Sequence, residues 1–257
     1  MFGAQLPLVG RLAIYLAAGI AAGIANGIAG GGTFITFPTL IATGISALQA
    51  NVSTTVGVVP SYLGGVAEFR THIRRHQRLI TALLPSCILG AAAGCALLLH
   101  GSPGTFRHVV PWLIGAGTVL FALSPLVTKR LAHLEHDHSS RRWALFVGVF
   151  LVSIYGGYFG AGLGILLLAV LAIALPFDIK ELQGLRNLIS LIINLCAALI
   201  FVVHGHLAWD AVDMLLIGTL IGGWLGAILI RHLSPGVVRI LVIATGIVTT
   251  YHLATTS

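Results

Sequence analysis

Five side chains on one predicted helix hold most of the hydrogen-bonding chemistry of this chain. Gln183, Arg186, Asn187, Ser190 and Asn194 stand at i, i+3, i+4, i+7 and i+11, which puts them on a single helical face. The other faces of that segment are leucine and isoleucine. A guanidinium beside amides and a hydroxyl offers many donors and one fixed positive charge, suited to paired oxygens such as those of a sulfonate or carboxylate. The positions 132 residues earlier are Asn51, Thr54, Thr55, Val58 and Tyr62, four of them polar. Arg186 also has a plainer reading. It follows Lys180 and Glu181 closely, so its side chain could extend to lipid headgroups instead of holding a ligand.

Two glycine-rich runs are the second chemical feature. The first is Asn26-Gly27-Ile28-Ala29-Gly30-Gly31-Gly32-Thr33 and the second is Tyr155-Gly156-Gly157-Tyr158-Phe159-Gly160-Ala161-Gly162. Glycine costs about 1 kcal/mol in a helix interior, so these clusters predict interruptions. A helix broken at membrane depth frees backbone groups, which are tolerated only against protein or a wet cavity. The helix that resumes after a break presents N–H donors and a partial positive charge. Asn26, Gly30, Gly31, Gly32 and Thr33, with Tyr155, Gly160 and Gly162, are therefore candidates to bind a small anion beside Asn51, Thr54, Thr55, Gln183, Arg186 and Asn187. The isolated Gly90, Gly94, Gly222 and Gly226 are read as close helix packing.

Composition says where these elements sit. The chain of 257 residues has 14 Lys or Arg and 7 Asp or Glu, while 57% of it is hydrophobic. A soluble domain carries charge on roughly a quarter of its residues. No charged side chain occurs from Leu12 to Ala67, and 79–106, 108–128, 143–177 and 187–209 are equally free of formal charge. Spanning the hydrocarbon core takes about 20 mainly apolar residues, so the expected fold is an all-α polytopic membrane protein. The net charge of +7 flanks the apolar spans, so it reports orientation and not nucleic-acid binding. Cys87, Cys95 and Cys196 lie inside apolar spans, which argues against a disulfide framework. The first apolar stretch is read as a retained helix and not a cleaved signal.

The expected segments are 8–29, a short piece 33–45, then 49–69, 79–100 and 107–128. A polar linker at 129–142 leads to 143–159, a short piece 163–176, then 182–203, 211–230 and 236–253. Residues 8–128 and 143–253 thus share one plan of about eight transmembrane helices, with glycine-broken first helices and short half-helical pieces. Ser102-Pro103-Gly104 with Arg107 recurs as Ser234-Pro235-Gly236 with Arg239, and Gly90 and Gly94 recur as Gly222 and Gly226. Gly30 and Gly32 recur as Gly160 and Gly162. These pairings in order predict a duplication. Loop 70–78 holds four arginines whereas 204–210 has no Lys or Arg, so the basic bias changes side between the halves. That predicts inverted repeats with 70–78 and 129–142 cytoplasmic. A parallel repeat stays open, because each short piece could cross fully or re-enter.

The run Gly27-Ile28-Ala29-Gly30-Gly31-Gly32, then Pro38, then Ser53-Thr54-Thr55, resembles the first repeat of the sulfite exporter TauE/SafE family. Tyr155 to Gly164 (Tyr-Gly-Gly-Tyr-Phe-Gly-Ala-Gly-Leu-Gly) is similar to its second repeat. The resemblance runs from about residue 12 to 253. It implies an inner-membrane carrier of about eight helices for sulfite, sulfoacetate and related organosulfonates, without fixing the substrate, the direction or proton coupling.

Other polar residues have weaker readings. Glu68 beside Arg70 reads as an interface anchor, and His133, Glu135, His136, Asp137 and His138 read as a solvated linker without metal-ligand spacing. His204 and His206 read as structural. The expected partners are a small anion and the lipid bilayer, with no cofactor, no metal and no nucleic acid; a homodimer is an assembly to test. An intramembrane enzyme would need a catalytic pair, and no span holds a His-Glu-x-x-His, a carboxylate pair or a Ser–His dyad. A passive anion channel is the other rival.

Overall fold

The computed structural model describes residues 7–28, 30–131, 138–229, 240 and 243–251. They form helices α1 (Leu8–Ile28), α2 (Thr33–Ala42), α3 (Ala47–Gly57), α4 (Ser61–Glu68), α5 (Arg70–Arg75), α6 (Gln77–His100), α7 (Pro103–Leu131), α8 (His138–Tyr158), α9 (Leu163–Ala174), α10 (Ile179–His204) and α11 (Trp209–Leu229). Residues 243–251 are helical as well. Among the described residues four helices are long and apolar enough to cross a bilayer on their own: Leu8–Gly27, Gln77–His100, Ile179–His204 and Trp209–Ile228. Thr33–Ala42, Trp143–Tyr158 and Leu163–Ala174 are shorter apolar helices. The linker residues His133, Glu135, His136 and Asp137, and the Ser234-Pro235-Gly236…Arg239 motif, lie outside the described residues.

Both glycine breaks are present and close in the same way. The Gly30 amide donates to the Ala25 carbonyl at 3.0 Å and the Gly160 amide to the Tyr155 carbonyl at 3.1 Å. Each closes a six-residue turn, and each places its glycine at positive φ, 82° at Gly30 and 74° at Gly160. Side chains are disfavoured in that region, so these two positions require glycine. Gly162, also at φ 74°, caps the start of α9, and the Phe34 ring lies 3.3 Å from where its Cβ would be.

One expected element differs. The segment 49–69 is not a single helix but α3 and α4, separated by Val58, Val59 and Pro60. Pro60 has no N–H to continue the ladder and disfavours helical geometry at the residue before it. The chain tightens instead, with Val59 N–H reaching back only to the Val56 carbonyl at 3.3 Å. The basic loop 70–78 is likewise part helix, since it contains α5 and the start of α6.

Small residues set the packing of the long helices. A Cβ on Gly23 of α1 would stand 2.5 Å from the Gly223 amide of α11, and one on Gly222 would collide with the Ile20 carbonyl. Gly19 meets Gly218 and Gly27 meets Gly226, so α1 and α11 run parallel with their backbones in contact. The α6–α8 pair repeats this: Gly90 lies on Phe150 and Ser153, and Gly94 on Ile154 and Gly157. Gly90, Gly94, Gly222 and Gly226 are thus packing glycines, which let dispersion act over the whole contact where lipid removes the hydrophobic drive.

Helix α10 crosses α4 in the antiparallel sense. Asn194 Nδ2 donates to the Tyr62 hydroxyl at 3.3 Å, and Gly184 packs on Phe69 further along. Tyr62 and Asn194 are themselves 132 residues apart. Two apolar cores flank this crossing. One gathers Leu185, Ile189 and Ile193 of α10 with α6, α8 and α9. The other gathers Ala197, Ala198 and Phe201 with α1, α2, α3 and α11.

Candidate functional site

Helix α10 starts from a defined cap. The Asp178 carboxylate accepts from the Lys180 and Glu181 amides at 2.8 and 2.9 Å, and Glu181 reaches back to the Asp178 amide. This capping box fixes the register that carries the polar stripe inward. From there the stripe is buried: Arg186 is 2% exposed, Asn187 1%, Ser190 0% and Asn194 4%.

The Arg186 guanidinium turns inward, which removes the headgroup alternative. Its Nη2 donates to the Asn26 carbonyl at 3.4 Å and to Asn187 Oδ1 at 3.2 Å. A Cβ on Gly30 would lie 3.4 Å from Nη1, and the same point is 3.2 Å from the Gly164 Cα. Arg186 therefore sits where the end of α1, the first break and the start of α9 converge. The Asn26 carbonyl belongs to the last turn of α1, so the cation also caps a helix C-terminus, where the dipole favours positive charge. Among the described residues His76 Nε2 stands 3.3 Å from Glu181 at the start of α10, and no carboxylate pairs with Arg186.

Asn26 is the node of the first break. Its Oδ1 accepts from the Gly32 amide at 2.7 Å and its Nδ2 donates to Ser61 Oγ at 2.9 Å. The Gly30, Gly32 and Gly160 amides are thus engaged within the protein, so these three expected donors hold the breaks shut. In the second break the Tyr155 hydroxyl donates to the Ala161 carbonyl, a brace across the turn. Gly31 and Thr33 are buried at the start of α2.

The first-half stripe reaches a corresponding place. Asn51 Nδ2 donates to the Tyr158 carbonyl at 2.9 Å. Tyr158 stands 132 residues after Asn26. Each first helix of a half thus has a C-terminal carbonyl held by a side chain from the other half. Thr55 Oγ1 is satisfied by the Asn51 carbonyl at 3.0 Å. The Arg186 guanidinium bonds the Asn26 carbonyl and the Asn187 side chain, and no hydrogen bond joins it to Asn51, Thr54 or Thr55.

Five polar atoms along the two stripes are buried without a partner: Asn51 Oδ1, Thr54 Oγ1, Gln183 Oε1, Asn187 Nδ2 and Ser190 Oγ. Each such atom costs about 1–3 kcal/mol, so five of them along the two stripes need a reason. A polar occupant supplies one. The set has donors in Thr54, Ser190 and Asn187 beside the Arg186 charge, and acceptors in Asn51 and Gln183.

The model of the sulfite exporter TauE/SafE family matches residues 15–253. The chain belongs to that family. A probable membrane transporter protein of Haemophilus influenzae is 25% identical over 235 residues, covering 90% of each chain. The Escherichia coli K12 probable membrane transporter protein YfcA is 22% identical, over 83% of this chain and 78% of its own. A Sinorhizobium probable membrane transporter protein, ORF9, is 24% identical over 77% of this chain and 75% of its own. No solved structure matches. This member of TauE/SafE is thus a multi-pass membrane transporter.

In this transporter the buried polar stripes are separate from the open cavity of ≈ 490 Å³ between the end of α4 (Gly64, Glu68), the first residue of α5 (Arg70) and α11 (Trp224, Ile228). No stripe residue lines that cavity, and the buried unpaired chemistry favours the stripes as the site. Among the described residues no three His, Cys, Asp or Glu side chains gather to hold a metal. Sequence reasoning did not single out Ser61, Gly65 or Gly164. A Cβ on Gly65 would stand 2.5 Å from Asn187 Nδ2, so this glycine makes room for the amide. Gly164 closes the Tyr155–Gly164 motif that carries the family resemblance, which was the available signal.

Proposed function

We propose that the protein is a secondary transporter of small sulfur-containing anions, sulfite or an organosulfonate such as sulfoacetate, across the inner membrane. The observation that carries this reading is Arg186, a 2% exposed guanidinium with no described carboxylate partner. Around it lie Asn187 and Ser190 with unpaired polar atoms. A charge at membrane depth costs several kcal/mol unless it has partners, and an anion provides them. The family description and the relatives' names support transport, and the family name favours sulfite among the candidates.

The mechanism is alternating access between two inverted repeats, 8–128 and 143–253, joined by a cytoplasmic linker at 129–142, with about eight spans. Support comes from the paired glycine breaks, the parallel α1–α11 and α6–α8 contacts, and the antiparallel meeting of Tyr62 and Asn194. Rocking one half against the other would expose Arg186 and the stripe first to one side and then to the other. Arg186 and Asn187 hold the anion's oxygens, Thr54 and Ser190 donate from the facing stripes, and Asn26, Tyr155 and the break glycines maintain the shape.

Purified protein in proteoliposomes tests this. Sulfite flux that saturates at low millimolar concentration supports a carrier, while flux rising linearly with concentration would make it a channel. A thermal-shift panel of sulfite, sulfate, thiosulfate, taurine, sulfoacetate and acetate ranks the ligands, since stabilisation follows ligand concentration over affinity. Equal shifts for all six would refute a selective anion site.

A further inference from the structure

We propose that this transporter is an obligate anion exchanger, in which the Arg186 charge prevents the unloaded carrier from turning over. The inference rests on the reading of Arg186 as the anion site. Arg186 is the one buried charged side chain among the described residues. The described acidic residues lie at helix ends: Glu68 closes α4, Asp178 and Glu181 open α10, and Asp210 and Asp213 open α11. No described carboxylate stands at membrane depth to neutralise the guanidinium or to carry a proton through the site.

The compensation Arg186 does have comes from across the divide between the halves. Its inter-half acceptor is the Asn26 carbonyl, at 3.4 Å, and its Nη1 faces Gly30 where Gly30 touches Gly164. The C-terminus of α1 presents roughly half a negative charge, so a large part of the cationic charge is left uncompensated. Rocking the halves must part Arg186 from Asn26 and Gly30 from Gly164. At that moment the guanidinium keeps only the Asn187 oxygen of its own helix. A dehydrated, unpaired cation is the costliest species this site can form.

A bound anion changes that balance. It brings full charge compensation and several acceptor oxygens, and it moves with Arg186 instead of staying with α1. The loaded carrier therefore crosses while the unloaded one is held. With no described carboxylate to bring a proton back, the return step is made by a second anion. One anion leaves and one enters per cycle, and like-for-like exchange moves no net charge.

The test uses proteoliposomes of the full chain loaded with 35S-sulfite, with potassium and valinomycin clamping the potential at zero. Efflux is followed into gluconate buffer, with and without unlabelled sulfite outside. External sulfite should speed efflux at least roughly tenfold, a factor that corresponds to about 1.4 kcal/mol of the barrier. Equal, saturable efflux in both arms overturns exchange while leaving sulfite transport intact. An absence of sulfite flux in both arms overturns the anion-site reading and the exchange inference with it. Arg186→Gln, which removes the charge, should bring the ratio of the two rates close to one. A ratio unchanged in that variant overturns the assignment to Arg186. The wild-type ratio decides exchange even where the variant does not fold.

Discussion

Replacing Thr54 with valine separates a ligand site from a buried polar defect. Thr54 is fully buried, its hydroxyl has no partner, and it stands 132 residues before Arg186. Valine keeps the shape and removes the hydroxyl. In the ligand-free protein this deletes an unpaired buried group whose burial costs about 1–3 kcal/mol, so stability should hold or rise. With sulfite bound, the same change removes a charge-assisted hydrogen bond worth about 1.5–3 kcal/mol, which weakens binding roughly ten- to hundredfold. At a sulfite concentration about a thousand times the wild-type Kd, ligand binding stabilises by about 4.1 kcal/mol. A hundredfold loss of affinity reduces that to about 1.4 kcal/mol. The assay is melting of detergent-solubilised protein by intrinsic fluorescence, with and without sulfite. The expected pattern is an unchanged or higher ligand-free Tm and a sulfite shift cut to between about one third and about two thirds. A lower ligand-free Tm with an unchanged sulfite shift would refute the reasoning, because the hydroxyl would then be serving the fold.

The remaining expectations concern packing, capping and topology. Gly222→Ala puts a methyl against the Ile20 carbonyl and should destabilise by about 1–3 kcal/mol, as overpacking does. Gly10→Ala meets only the Pro7 ring at 3.7 Å and should leave Tm nearly unchanged; equal Tm losses would contradict the α1–α11 contact. Hydrogen bonds from the Glu181 and Lys180 amides, with nearby His72 and Lys180, hold the Asp178 carboxyl below its ordinary value of 3.8. A lowered folded pKa stabilises fully above that ordinary value and ceases to as pH falls through the folded one. The Tm gap between wild type and Asp178→Ala should therefore be present at neutral pH and shrink below pH 3.8; a gap constant with pH would argue against the cap. Cysteines at Thr71 and His206, in a background without Cys87, Cys95 and Cys196, should be labelled from opposite sides of the membrane. Labelling of both from the cytoplasmic side would exclude inverted repeats.

What the sequence revealed depended on periodicity and on glycine. The stripe from Gln183 to Asn194 was legible because helical spacing survives translation into structure, and α10 is one uninterrupted helix there. The breaks were legible because three glycines within a few residues weaken a helix, and the packing role of Gly222 followed from small residues recurring along an apolar span. The split between α3 and α4 was missed although Gly57 and Pro60 were in view. Apolar length outweighs a single proline in a hydropathy reading, whereas the backbone ladder depends on each N–H. The partners of Asn26 were not legible for another reason. Its type and position suit a ligand donor, and its side chain bonds the Gly32 amide and Ser61 of α4. Such tertiary pairings, and the identity of the five unpaired atoms, exist only once the helices are assembled.

The most direct test of the central claim is sulfite binding to purified protein by titration calorimetry, compared among wild type, Arg186→Gln and Arg186→Lys. Monodispersity and ligand-free Tm control for the capping contact of Arg186 with the Asn26 carbonyl. Loss of a charge-assisted contact predicts a Kd roughly ten- to hundredfold higher for the glutamine variant. Lysine should fall between the two, because an ammonium keeps the charge and loses the fork. Equal affinities across the three folded proteins would remove Arg186 from the site and contradict the account.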